Sequence, residues 1–145
     1  LAYAGYGNAQ AAGIAEIRLN RETGEIRVEN FWAAIDAGLI IAPDNALNQI
    51  EGGIVFGVSS ALKEQVTIVD GEVEEQNFGD YQILRANETP RITVELMRDG
   101  PEPLQVGEVG TPMVAPAIAN AFARLTGKRL RHMPFTPERV LAALA

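Results

Sequence analysis

Residues 45–63 carry a helical apolar period, with Leu47, Ile50, Ile54, Val58 and Leu62 recurring at steps of three and four. Three glycines, Gly52, Gly53 and Gly57, lie inside that stretch. Each costs about 1 kcal/mol of helix propensity against alanine. A helix keeps such residues where something approaches its backbone closely. Gly53 and Gly57 share one face, so this helix is expected to pack backbone-first against a helix, a sheet or a ligand. Asn48 and Gln49 stand beside the glycines, either as ordinary polar-face residues or as amides that hydrogen-bond a bound cofactor. Spacing leaves both readings open.

The second constraint is a carboxylate held between glycines, Gln105-Val106-Gly107-Glu108-Val109-Gly110-Thr111-Pro112, which runs straight into another helical period. Ala117, Ile118, Ala121, Phe122 and Leu125 form its apolar face. Pro116 suits the first helical position, where a missing N–H removes no helical bond. Gly127 suits a left-handed stop, with Lys128, Arg129 and Arg131 beyond the negative end of the helix. Glu108 therefore sits just upstream of a helix, on a backbone that another group can approach. A loop glutamate ordinarily faces solvent, and spacing alone does not lift Glu108 out of that class.

The rest of the chain supplies strands. Residues 14–19 alternate, with Ala15, Ile17 and Leu19 interleaved with Glu16 and Arg18, and the turn 20–24 leads into extended residues 25–35. A second, smaller hairpin is expected over 65–69 and 72–75 around Asp70-Gly71, and another strand over 91–97. Residues 76–90 read as irregular, 99–103 as a turn, and 137–145 as a closing helix. Residues 1–13, rich in Gly and Ala with Tyr3 and Tyr6 as the large side chains, read as a loop packed against an absent neighbour. The order predicts an α+β fold, a largely antiparallel sheet built from hairpins with two main helices packed on it. At 145 residues the chain is one domain's worth, and its start without Met reads as a piece of something longer.

Composition excludes several classes. A net charge of −7 without a dense Lys/Arg cluster argues against nucleic-acid binding. With no cysteine, disulfides and thiolate-held zinc or iron–sulfur clusters are ruled out within this chain. His132 is the single histidine, and no zinc-binding spacing surrounds it, so no metal ligands are assigned. The glycines match neither a dinucleotide fingerprint nor a P-loop. Glu72, Glu74 and Glu75 read as a solvated edge. Asp80, Tyr81 and Arg85 either line a substrate funnel or form a satisfied loop network, the latter favoured.

Several stretches, taken together and in order, resemble the large, molybdopterin-binding subunit of the xanthine dehydrogenase/aldehyde oxidase family, in its C-terminal part. They resemble above all the isoquinoline 1-oxidoreductase β-subunit type and its aldehyde dehydrogenase relatives. The stretches are Ala34-Ile35-Asp36-Ala37-Gly38 with Ala42-Pro43-Asp44, Gln49-Ile50-Glu51-Gly52-Gly53-Ile54 with Gly57, Asn77-Phe78-Gly79-Asp80-Tyr81 with Leu84-Arg85, Gly107-Glu108-Val109-Gly110, and Ala115-Pro116-Ala117 through to Arg131. They cover nearly all of the chain from Gly13 onward. Two positions depart from the family pattern: Val109 stands where proline is usual, and Ala42 where asparagine is usual.

The resemblance implies that residues 1–145 are a C-terminal fragment of a molybdopterin-binding domain. Its parent would be a molybdenum hydroxylase that oxidises an aldehyde or hydroxylates an N-heterocycle with water-derived oxygen. Glu108 matches the catalytic general base, Gln49 a glutamine that contacts the pterin, and Gly107 the backbone beside the cofactor. The implied cofactor is molybdenum-molybdopterin in a dinucleotide form such as the cytosine dinucleotide, held mostly by domains outside this chain. Iron–sulfur clusters would sit on a small [2Fe-2S] partner subunit. The fragment alone is then expected to be inactive, and to self-associate through apolar surface that the other domains would cover. The competing reading is a non-catalytic packing or assembly domain that keeps the fold. Substrate, electron acceptor and compartment are not legible.

Overall fold

The computed structural model describes residues 1–97 and 100–145; Asp99, the first residue of the predicted 99–103 turn, lies outside them. A four-stranded sheet is ordered β1 (Ala2–Tyr6), β2 (Ala9–Leu19), β3 (Ile26–Asp36), β6 (Arg91–Met97). Between β3 and β6 come α1 (Pro43–Leu62) and a two-stranded hairpin of β4 (Ile68–Val69) and β5 (Glu72–Val73). After β6 come α2 (Val114–Thr126) and α3 (Pro137–Leu144). The fold is α+β, and the sheet is largely antiparallel.

The β2–β3 hairpin is the expected one, with a correction built into it. Glu16 pairs with Asn30 but Ile17 pairs with Val28, so Glu29 is an extra residue in β3. Without that bulge, strict alternation would turn either Ile26 and Val28 or Phe31 and Ile35 away from the core. With it, all four are buried.

Three expectations are revised. Residues 1–13 are not a loop: β1 pairs antiparallel with β2 from Ala2↔Gly13 to Tyr6↔Ala9. The predicted small hairpin shrinks to two residues per strand. Pro116 is the third residue of α2, because the helix starts at Val114. The Gly127 stop holds, at φ 75° with its N–H bonded to the Ala123 carbonyl at 2.8 Å.

β6 joins the sheet parallel to β3, from Asn30↔Arg91 to Asp36↔Met97. A parallel neighbour needs a long crossover, which α1 and the segment after it provide. Both long helices cover one face of the sheet, α2 over β1 and β2 and α1 over β6, and they touch each other. The glycine prediction is met where they meet. A Cβ on Gly57 would lie 2.8 Å from Val114 Cγ2, and one on Gly110 would lie 2.7 Å from the Ile50 carbonyl oxygen. Ile50, Ile54, Val58, Met113, Ile118 and Phe122 fill the space between helices and sheet. Among the described residues no helix is long and apolar enough to cross a membrane.

Candidate functional site

The loop before α2 is tied to α1 on both sides of Glu108. The Gln49 side-chain amide donates to the Gly107 carbonyl at 2.6 Å, and the Thr111 hydroxyl donates to the Gly53 carbonyl at 3.1 Å. Between these ties the Thr111 N–H bonds back to the Glu108 carbonyl at 2.9 Å, closing a turn. Val109 is fully buried beneath it. Glu108 itself is exposed.

That outward carboxylate opens on a cavity of about 450 Å³. Its walls are Glu108, Gly107, Thr111 and Pro112 from the loop, Gln49, Gly52, Gly53 and Phe56 from α1, and Tyr6 from the end of β1. The three residues predicted from sequence, Gln49, Gly107 and Glu108, thus share one cavity although 58 residues separate Gln49 from Gly107. Gly52 and Gly107 have no atom within 4 Å of the Cβ each lacks. Their part of the wall is open backbone.

Tyr6 was not among the predicted site residues. Strand alternation puts Ala2, Ala4 and Tyr6 on the helix side of β1 and Tyr3 on the other. Tyr6, at the tip, reaches the loop. The charge of the Glu108 carboxylate first, then its capacity to accept from the phenol, then desolvation, push Tyr6 above its ordinary value. A polar turn at Gly7-Asn8 between two short alternations was the signal available, but the strands are too Ala/Gly-rich for an apolar pattern to mark them.

Other candidates fall outside this cavity. Tyr81 donates to Glu64 at 2.9 Å, the Arg85 N–H to Glu88 at 2.7 Å, and Lys63 to Glu88 at 2.6 Å, so the 80–85 segment is a loop network. Asn48 and His132 are exposed and do not line it. Glu72 and Glu74 are solvated, whereas Glu75 holds the Thr67 N–H and hydroxyl, each at 2.7 Å. Among the described residues no three His, Cys, Asp or Glu side chains gather as a metal-holding group.

A profile of the molybdopterin cofactor-binding domain matches residues 2–90, a stretch that includes Tyr6 and Gln49 and stops short of Glu108. The β-subunit of isoquinoline 1-oxidoreductase from Brevundimonas diminuta is 41% identical over 137 residues, covering 94% of this chain and 18% of that protein. A nicotinate dehydrogenase subunit of Pseudomonas putida is 38% identical over 143 residues, 98% of this chain and 12% of that one. The crystal structure of the aldehyde oxidoreductase from Desulfovibrio desulfuricans superposes with a TM-score of 0.84 at 29% identity, over 94% of this chain and 16% of its own. The chain spans less than a fifth of the length of each. It belongs to the molybdopterin cofactor-binding domain family, as a segment of a molybdopterin-binding subunit of the xanthine dehydrogenase family.

Proposed function

We propose that this chain forms one wall of the reaction site of a molybdenum hydroxylase, with Glu108 as general base and Gln49 and Gly107 against the cofactor. The observation that carries the reading is the convergence of these three residues on one open cavity, held by the Gln49–Gly107 hydrogen bond. The residues present fit a pterin. Gly52 and Gly107 leave open backbone where a planar ring can lie. Gln49 uses one amide hydrogen on Gly107, and among the described residues its other hydrogen and its Oε1 have no protein partner. Those two groups match the donor and acceptor edge of a pterin.

The bound cofactor supplies two-electron oxidation and orients a water-derived oxygen. Overall a substrate C–H becomes C–OH, the oxygen coming from water, and two electrons and two protons leave. Glu108 takes the proton that water sheds as its oxygen bonds to the substrate carbon. Gln49 fixes the Glu108 loop and faces the pterin, while buried Val109 anchors the backbone of that loop beside the cavity. Iron–sulfur clusters on a small partner subunit would take up the two electrons. The substrate is an aldehyde or an N-heterocycle, the pterin carries a nucleotide, and the remaining domains of the large subunit complete the site. The chain by itself is inactive on this reading.

The test is Glu108→Gln in the full-length subunit co-assembled with its small partner. Turnover of aldehydes and N-heterocycles should fall by roughly 10²–10⁴-fold, the range for losing a general base, with molybdenum and pterin content unchanged. Near-normal turnover rules out the role. A folded parental complex without molybdenum, made in a host that supplies the cofactor, overturns the whole reading and leaves a packing domain.

A further inference from the structure

Tyr6, at the end of β1, is the one lining residue of the cavity that comes from the sheet rather than from α1 or the Glu108 loop, and the β1–β2 turn follows it directly. That turn is packed against the Glu108 loop. Gly7 has φ +58°, a left-handed conformation that favours glycine, and the space its Cβ would occupy is filled by the Gln105 side-chain amide. Gln105 is three residues before Glu108 on the same loop. The hairpin tip and the carboxylate loop are therefore fitted to each other beside Tyr6, with Gly7 admitting the contact. On β1, alternation then sends the phenol to the helix side, where it lines the cavity together with Glu108.

We propose that Tyr6 is a positioning residue for Glu108, its phenol holding one carboxylate oxygen so that the other faces the reacting water. This rests on the assignment of Glu108 as general base. Glu108 is exposed and has three rotatable side-chain bonds, and neither Gln49 nor Thr111 restrains its side chain, because both bond to backbone. A phenol O–H is a donor that a carboxylate accepts strongly. It is also too weak an acid to remove the charge the base needs.

Two measurements test the proposal. In the chain labelled with ¹³C in the rings of its three tyrosines, pH titration should give Tyr6 the midpoint displaced upward by Glu108. Glu108→Gln should bring it back toward the ordinary phenol value and leave Tyr81, raised instead by its hydrogen bond to Glu64, where it is. Gly7→Ala, which must evict Gln105 and strain φ, should weaken the same coupling. In the assembled full-length subunit, Tyr6→Phe should lower kcat roughly tenfold, as expected for loss of one hydrogen bond to a charged group, with KM and molybdenum content retained. A Tyr6 midpoint indifferent to Glu108→Gln overturns the inference, as does an unchanged kcat in Tyr6→Phe. The first of these needs no Tyr6 variant to fold. If instead Glu108→Gln retains full turnover, the base assignment fails, whatever the titration reads.

Discussion

The Gln49 side-chain amide and the Gly107 carbonyl meet at 2.6 Å, joining the second turn of α1 to the residue before Glu108. One contact thus links the residue assigned to the pterin with the loop assigned to the proton. Gln49 is exposed, so its loss leaves no cavity in the core. Gln49→Ala should shift thermal stability little, while cofactor retention in the full-length subunit weakens by about tenfold or more, the usual scale for a lost hydrogen bond in a binding site. Molybdenum content and melting temperature, measured on the same preparation, check both halves. A variant that keeps full metal content removes Gln49 from the cofactor's contacts.

The glycines divide by what lies beside them. Gly110→Ala drives a Cβ to 2.7 Å from the Ile50 carbonyl, and Gly57→Ala to 2.8 Å from Val114 Cγ2 and 3.1 Å from the Thr111 carbonyl. Backbone does not step aside as a flexible side chain does, so each should destabilise by about 1–3 kcal/mol. Gly52→Ala meets nothing within 4 Å and lies exposed in a helix, so it should stabilise by up to about 1 kcal/mol. It also puts a methyl group on the open wall of the cavity. Denaturant unfolding of the three variants should give opposite signs, and the more stable Gly52→Ala should load less cofactor in the assembled subunit.

Much of this arrangement is legible in the sequence, and the limits are physical. α1, α2, the Gly127 stop and the β2–β3 hairpin are marked by local periodicity and turn residues. The close approach at Gly57 is marked by a glycine that a helix would not otherwise keep. β1 is invisible because it buries its helix face with Ala2 and Ala4, too small to write an apolar pattern. The parallel pairing of β6 with β3 is set by a crossover of more than fifty residues, and the Glu29 bulge by the need to bury residues of both parities. Neither leaves a local mark. At the site, Gln49, Gly107 and Glu108 are singled out by a resemblance to a family, and their shared cavity supports it. Tyr6 reaches them through β1 and so was missed with it.

Lys63 and Glu88 give the fold a pH dependence. Hydrogen bonding from Lys63, then from the Arg85 backbone N–H, holds the Glu88 carboxyl below its ordinary value. A depressed folded-state value contributes stability that is fully present above the ordinary carboxylate range and is lost as pH falls through that range and below it. The pair is about one-third exposed, so solvent screening keeps the contribution small. Glu88→Gln should lower stability at pH 7 and converge with the parent as pH falls below about 4. Urea unfolding at a series of pH values reads this directly; parallel curves would show that Glu88 is not the group responsible.

The sheet face turned away from the helices carries the strongest prediction about assembly. Ile14 and Trp32 are paired across β2 and β3, and both point to that face, 48% and 42% exposed. Tyr3 of β1 is on the same side, 68% exposed. An aromatic and β-branched cross-strand pair is ordinarily covered, and we propose that other domains of the large subunit cover it in the full-length protein. Left bare, it should drive the chain to associate with itself. Trp32 is the single tryptophan, so its emission should shift to the blue as concentration rises, in step with a larger sedimentation coefficient. Ile14→Glu should suppress both, since a charge on that face cannot be buried unpaired. A chain that sediments as a monomer at several hundred micromolar, with unshifted emission, would show that this face needs no cover.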